Sequence, residues 1–133
     1  NISFVGLRSL QRALGSFGER VIATAVVPFP WNDSIPLVAN YHESLKRHRP
    51  EVQPGFVSLE GYIAGRMFAH IAEQVPVHLS RDGFIQTLQG LGRFTFEGIT
   101  FEFGPTAYPG MQEVSIIQLF PEFKQIHAGA LHP

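Results

Sequence analysis

Residues 21–38 have the sequence VIATAVVPFPWNDSIPLV, and the change of pattern inside this stretch decides the fold. Residues 21–27 are nearly all apolar and rich in β-branched side chains, which predicts a strand covered on both faces. Pro28 and Pro30 follow directly, and because proline cannot donate to a sheet ladder, the strand ends or leaves its sheet there. Pro36 then suits the first turn of a helix. The stretch predicts a strand, a stiff connector and a helix in succession.

A helix and a further strand precede this stretch. Residues 2–5 form a short apolar run, which is typical of a buried strand. The apolar side chains that follow recur at helical spacing, and they are Leu7, Leu10, Leu14 and Phe17. Gly15 and Gly18 end that helix. Together with residues 21–27, these elements predict a β-α-β unit, whose default connection is a right-handed parallel crossover.

Helices and then strands follow the connector. The sequence predicts a helix capped by Asp33 or Ser34, a long helix over residues 56–74 and a shorter helix capped by Ser80. Beyond Arg93 the apolar period changes to two, which predicts a hairpin-like segment interrupted at Gly98 and a final strand over residues 114–120. The tail to Pro133 carries weak structure signals. The fold class predicted from these patterns is α/β.

The composition indicates one globular domain with few charges. The length of 133 residues and the mass of 14.8 kDa fit one domain. A hydrophobic content of 44% excludes a disordered charged tail. Charged residues make up only 16%, against about 25% in an average soluble domain. We therefore expect part of the surface to be covered by another part of a protein.

Charge and cysteine content exclude several classes of function. The net charge of -1 gives no electrostatic footprint for nucleic acid or an anionic membrane. Cysteine is absent, which excludes disulfide scaffolds, zinc knuckles and thiol catalysis. No apolar run approaches the roughly 20 residues that span a bilayer. The sequence opens at Asn1 without a signal segment, so we expect a mature segment or an excised piece.

Motifs for catalysis, cofactors and metals are weak or missing. No phosphate-cradling loop, dinucleotide fingerprint or nucleophile elbow occurs, so we expect no cofactor. His42 and His48 are six positions apart and fall on different helix faces, so we expect no metal there. His70 is expected to be a core or interface histidine. Glu97 and Glu102 are conceivable as a catalytic pair, but exposed alternating positions explain them better.

The start of the long helix is the strongest candidate for a binding site. Phe56, Ser58, Glu60 and Tyr62 place an aromatic ring, a hydroxyl, a carboxylate and a phenol in its first two turns. A helix N-terminus offers free N–H groups to an anionic ligand group, and Glu60 suits an ammonium. The alternative is purely structural: Ser58 caps the helix, Glu60 favours its dipole, and both aromatic rings belong to the core.

Three segments together resemble a known family. They occur in order along the chain: VVPFPWNDSIPLV at residues 26–38, FVSLEGYIA at residues 56–64 and FEFGP at residues 101–105. They resemble the C-terminal part of type I periplasmic solute-binding proteins of the leucine/isoleucine/valine-binding class. Those proteins are the extracellular receptors of ABC importers for branched-chain amino acids and related small carboxylates or amides.

The resemblance implies a bilobal α/β protein that closes on its ligand by a hinge and is not an enzyme. Residues 1–27 would end the second lobe, residues 28–110 would be a hinge crossing and the helical part of the first lobe, and residues 111–133 would be the return crossing, the C-terminal strand and the tail. The resemblance places hinge residues at Pro28, Pro30 and Trp31. It implies a periplasmic or extracellular location, and importer membrane subunits as partners of the full-length protein.

The resemblance also points to ligand contacts. The family position for an aromatic side chain against the ligand falls at Val57, with Phe56 adjacent, while Ser58 and Glu60 are chosen for their chemistry and their place at the start of the helix. The expected ligand-binding residues are therefore Phe56, Val57, Ser58 and Glu60. A sensor module with the same fold is the alternative function, and a small α/β hydrolase using His70 is a distant third. The isolated chain is expected to form a homo-oligomer or exchange segments, because its helices lack the sheet that they cover.

Overall fold

The computed structural model describes residues 6–19, 21–76, 78–106 and 110–126. Within these ranges the helices are α1 (Leu7–Leu14), α2 (Pro36–His48), α3 (Phe56–Ala72) and α4 (Arg81–Leu91), with a 3₁₀ turn at Gly15–Gly18 after α1. The strands are β1 (Ile22–Ala25), β2 (Arg93–Phe96), β3 (Ile99–Glu102), β4 (Ser115–Gln118) and β5 (Lys124–Ile126). The α/β class and the order of helices predicted from the sequence are confirmed.

The strands pair in two small antiparallel sheets within the described ranges. One sheet has the order β1-β4-β5, with Ile22 opposite Gln118 and Ile116 opposite Ile126. The other is the hairpin of β2 and β3. The predicted parallel partner of β1, residues 2–5, lies outside the described residues, so the β-α-β crossover stays a prediction.

Strand β1 is shorter and less buried than predicted. Ala23 and Ala25 are buried, whereas Ile22 is 40% exposed and Thr24 is also exposed. The prediction of a strand covered on both faces was wrong, because only the side chains on one face of β1, those of Ala23 and Ala25, are buried. An alternating pattern of this kind is typical of a half-covered antiparallel sheet.

The buried apolar side chains form one cluster, to which α1, β1, α2, α3, β3 and β4 all contribute. The largest fully buried side chains include Leu37, Val38, Tyr41, Leu59, Ile117 and Leu119. In α3 the buried residues recur every four positions, as predicted: Leu59, Ile63, Met67 and Ile71. Burying each such side chain contributes about 1.5–3 kcal/mol. The core therefore fixes α3, and with it the start of that helix.

Other apolar side chains remain on the surface. Phe17 is 90% exposed, and Phe68 is 54% exposed although it stacks on Phe84 with ring centroids 5.1 Å apart. Helix α4 has no fully buried side chain. None of the helices in the described ranges is long and apolar enough to cross a membrane. The expectation that the isolated chain self-associates stays a prediction.

The start of α2 differs from the prediction. Neither Asp33 nor Ser34 caps it; Ile35 precedes the helix and gives no side-chain cap. The Ser34 hydroxyl instead donates to Asn32 Oδ1 at 2.6 Å. The amide of Leu37 donates to the backbone oxygen in the β2–β3 turn at 3.0 Å, a long-range cap that local sequence does not reveal. The predicted cap of α4 is confirmed, since Ser80 Oγ accepts from the amide of Gly83.

The β2–β3 turn holds a carboxylate that was expected to be exposed. Glu97 and Gly98 have φ values of 47° and 84°, as a two-residue hairpin turn requires. The Glu97 side chain is only 15% exposed and accepts a hydrogen bond from Arg66 Nη2. That bond raises the pKa of Arg66. The Arg66 guanidinium also lies 5.5 Å from the centre of the Phe96 ring. The prediction that Glu97 is exposed was wrong, because the geometry of the turn places its side chain against Arg66 of α3.

The C-terminal part contains one strand more than predicted. The final strand, predicted over residues 114–120, is present as β4 (Ser115–Gln118). Strand β5 (Lys124–Ile126) pairs with it in a region whose sequence pattern is too short and polar to indicate a strand. Between them, the Phe120 ring packs against Gly18. Residues 127–133 lie outside the described part of the chain.

Candidate ligand-binding site

A cavity of about 310 Å³ lies where α1 and α3 begin. Its lining comes from the start of α1, the connector after β1, the start of α3 and the segment before β5. The side chains that define its walls are Leu7, Arg8, Trp31, Phe56, Val57, Ser58 and Phe123. The volume lies at the lower end of the range of about 300–1,000 Å³ typical of small-molecule pockets. The cavity thus joins parts of the chain that are far apart in sequence.

Aromatic rings form the apolar wall of this cavity. Trp31 stacks on Phe123 with centroids 5.6 Å apart and an interplanar angle of 23°. The Phe56 ring meets Trp31 edge-on at 5.8 Å and Phe123 at 6.0 Å. Phe29 packs behind, 5.0 Å from Trp31. Pairs of this geometry are worth about 0.5–1.5 kcal/mol each beyond their area burial, so the wall is held rigid.

A buried phenol fixes the start of α3. Tyr41, which is 1% exposed, accepts a hydrogen bond from the Gly55 amide at 2.9 Å. Its hydroxyl also lies 2.7 Å from Ser58 Oγ, which itself donates to the Gly55 carbonyl at 3.1 Å. Ser58 is therefore held in place from α2. This contact explains why Ser58 stands in the first turn of α3 rather than at its cap, which is Gly55.

The N-terminal turns of two helices meet at the cavity. Gly6 precedes α1 and Gly55 precedes α3, and neither helix start has a side-chain cap among the described residues. Uncapped first turns present N–H groups and a partial positive charge, which favour a carboxylate or another anionic group. The two helix starts therefore bring partial positive charge to this end of the cavity.

Arg8 is a site residue that sequence reasoning missed. Its Nη2 donates to the Pro54 carbonyl at 3.1 Å, and its guanidinium lies 5.9 Å from the centre of the Trp31 ring. The side chain is exposed at the rim of the cavity. In the sequence it stands in a helical pattern without any distinguishing neighbour. Only the fold brings it against residues that follow 23 and 46 positions later.

The predicted ligand residues divide into two groups. Phe56, Val57 and Ser58 all line the cavity, with Phe56 4% exposed beneath it and Val57 57% exposed at its surface. Glu60 is half-buried one turn further along α3 and is not part of the lining. Whether any of the four contacts a ligand stays a prediction.

The predicted hinge residues lie within the connector, and their side chains face different parts of the fold. Trp31 belongs to the aromatic wall, and the carbonyl of buried Pro30 accepts a hydrogen bond from His42 Nε2 at 2.6 Å. Pro28 lines a smaller cavity of about 90 Å³ between the connector, the β2–β3 hairpin and the segment around Glu113. A hinge role for these residues stays a prediction.

The remaining chemical candidates have structural partners. His70 stacks on Phe96 at 4.3 Å, and its Nε2 lies 3.1 Å from Gln74 Nε2. Glu102 accepts a hydrogen bond from Gln112 at 3.0 Å. The described ranges contain no group of three or more histidine, aspartate or glutamate side chains that could hold a metal ion.

Comparison with solved structures agrees with this architecture. The chain is similar to the crystal structure of a possible leucine/isoleucine/valine-binding protein from Rhodopirellula baltica SH 1, with a TM-score of 0.90 and 31% sequence identity over 99% of this chain. It is also similar in fold to an extracellular ligand-binding receptor from Verminephrobacter eiseniae ef01-2, with a TM-score of 0.77 and 22% identity over 88% of this chain. No family model and no curated protein matches the sequence.

The match covers only part of each neighbour. The chain spans 36% of the Rhodopirellula protein and 34% of the Verminephrobacter receptor. The resemblance carried by residues 26–38, 56–64 and 101–105 is confirmed at the level of the fold. These 133 residues have the fold of one part of a type I periplasmic binding protein.

Proposed function

We propose that the chain is part of an extracytoplasmic solute-binding protein that captures a small amino-acid-like or carboxylate ligand between two lobes for an ABC importer. The observation that carries this proposal is the cavity of about 310 Å³ at the starts of α1 and α3, where Phe56, Val57 and Ser58 converge. The similarity to a possible leucine/isoleucine/valine-binding protein supports it.

The lining of the cavity suits a small molecule with one apolar and one polar end. Trp31, Phe56 and Phe123 offer flat apolar contact for a branched or aromatic side chain. The first-turn N–H groups of the two helices offer hydrogen bonds to a carboxylate or amide. Ser58 Oγ, whose proton is donated to the Gly55 carbonyl, can accept a hydrogen bond from an amide or ammonium group. Ligand sites commonly combine an apolar lining with a few fixed polar groups in this way.

The position of the cavity also suits capture by closure. In the proposed two-lobe arrangement, residues 6–27 belong to one lobe and residues 36–106 to the other. The cavity then lies between the lobes, and residues 28–35 form one of the crossings. A ligand that contacts both walls binds the closed form better and shifts the population toward it.

The test is a solute screen on the full-length gene product with a matched pair of variants. Val57 and Phe68 are both exposed on α3, at 57% and 54%, but only Val57 lines the cavity. We expect thermal shifts with one class of small carboxylate or amide, abolished by Val57→Trp, which fills the cavity, and retained by Phe68→Trp. Equal binding by both variants, or no solute bound at all, would refute the proposed site.

A sensor role is the competing function, since the Verminephrobacter neighbour is described as an extracellular ligand-binding receptor. Both functions use the same cavity. They differ in the partner that binds the closed form, which is the membrane subunits of an importer in one case and a signalling protein in the other. Uptake of the radiolabelled solute, measured in cells with and without the gene, separates them. Loss of uptake on deletion supports the importer, and unchanged uptake supports the sensor.

A further inference from the structure

Arg8 connects the two walls of the cavity directly. From the second residue of α1, its Nη2 donates to the carbonyl of Pro54, just before α3 begins, at 3.1 Å. The same guanidinium lies 5.9 Å from the centre of the Trp31 ring, on the connector. One side chain thus contacts the first segment, the connector and the segment that leads into α3.

We propose that Arg8 is a positioning residue, a latch that holds the start of α1 against the start of α3 and so biases the protein toward its closed form. This inference rests on the proposed function, because it assumes that the two walls belong to lobes that move apart. In this role Arg8 acts on the position of the walls, through the Pro54 carbonyl and the Trp31 ring, and not on the charge of the ligand.

The physical basis is a contact that exists only when the walls are close. A charge-assisted hydrogen bond to a carbonyl and a cation–π contact both fade within a few ångströms of separation. When the walls separate, Arg8 returns to water and the Pro54 carbonyl is hydrated. The latch therefore adds to the stability of the closed form alone, which is what shifts a two-state equilibrium.

Helix α1 also supplies a control residue. Arg12 stands one turn after Arg8, is likewise exposed and does not line the cavity. It lines a neighbouring groove with Gln11, Pro121 and Glu122, to which Arg8 and Phe123 also contribute. Removing the charge of Arg12 changes the net charge of α1 by the same amount as removing that of Arg8, but it leaves the contact between Arg8 and Pro54 in place. A difference between the two arginines therefore isolates the latch from the general effect of losing a cation.

The experiment measures the open and closed populations without any ligand. The 133 residues contain no cysteine, so Ser16→Cys and Gln53→Cys introduce two exposed labelling sites, one in the turn after α1 and one in the segment before α3. Spin labels there, in the full-length gene product freed of any other cysteine, report the distance distribution between the walls by pulsed electron resonance.

We expect Arg8→Met to shift the ratio of long to short distances by about tenfold, which corresponds to about 1.4 kcal/mol. Arg8→Lys recovers part of the short population, because an ammonium reaches the carbonyl but lacks the planar fork. Arg12→Met leaves the distribution as in the wild type. The same distribution in Arg8→Met and the wild type overturns the latch, whatever solute the protein binds.

A second readout separates the latch from the proposed function. L-leucinamide carries an amide where L-leucine carries a carboxylate. A latch does not act on that group, so we expect Arg8→Met to weaken the binding of both compounds equally, as measured by calorimetry. Loss of L-leucine binding alone would mean that Arg8 reads the ligand's charge, which contradicts the latch while leaving the binding function intact. If Val57→Trp fails to abolish solute binding, the proposed site fails irrespective of Arg8.

Discussion

Replacing Tyr41 by phenylalanine removes one oxygen from a buried site and leaves the ring in place. That oxygen accepts from the Gly55 amide at 2.9 Å and pairs with Ser58 Oγ at 2.7 Å, while the side chain is 1% exposed. A net contribution of about 0.5–1.5 kcal/mol per hydrogen bond gives a loss of about 1–3 kcal/mol in the free energy of unfolding. Both lost bonds are at the start of α3, so the substitution also loosens the wall of the cavity.

Urea unfolding of the 133-residue chain, followed by the fluorescence of Trp31, its single tryptophan, measures this loss. Tyr62→Phe is the matched control, because Tyr62 is half-buried and no hydrogen bond of its hydroxyl is present among the described residues. In a double-mutant cycle, Tyr41→Phe and Ser58→Ala should show a coupling of about 0.5–1.5 kcal/mol. A loss in Tyr41→Phe no larger than in Tyr62→Phe, with no coupling to Ser58, would refute the reasoning.

Three further predictions concern the frame around the site. Gly18→Ala should lower the free energy of unfolding by about 1–3 kcal/mol in urea unfolding, because an added Cβ would lie 2.1 Å from the Phe120 ring; a neutral effect would contradict the packing. Glu97→Gln should cost about 1–2 kcal/mol in the same assay by weakening the partly buried pair with Arg66, and a variant as stable as the wild type would show that the pair contributes nothing. Burial raises the pKa of Tyr62 above 10.0. The protonated phenol therefore contributes stability that is fully present below pH 10 and is lost as the pH rises through the pKa of the folded state. Tyr62→Phe should flatten this decline in the free energy of unfolding, and an unchanged pH profile would contradict the prediction.

Local patterns predicted the helices because their signals lie within the helices themselves. The four-residue recurrence from Leu59 to Ile71 and the Ser80 cap need no distant partner to be recognised. Strand β5 escaped prediction because its register comes from β4 and not from its own residues. The start of α2 was misassigned for the same reason, since its first amide is satisfied by the backbone oxygen of Glu97.

The candidate site was predicted in its centre and missed at its rim. Phe56, Val57 and Ser58 are consecutive, so a single sequence segment pointed to that part of the cavity wall. Arg8 belongs to a distant segment, and only folding brings it within hydrogen-bond distance of Pro54. Residues that assemble from separate segments give no local signal, and this explains why the polar rim of the cavity was not predicted.

A crystal structure of the full-length gene product with its bound solute tests the central claim most directly. We expect the solute in the cavity, with atoms in van der Waals contact with Trp31 and Val57, and residues 6–27 and 36–106 in opposite lobes. A solute bound elsewhere, or a single lobe containing both ranges with the cavity filled by other residues of the protein, would contradict the account.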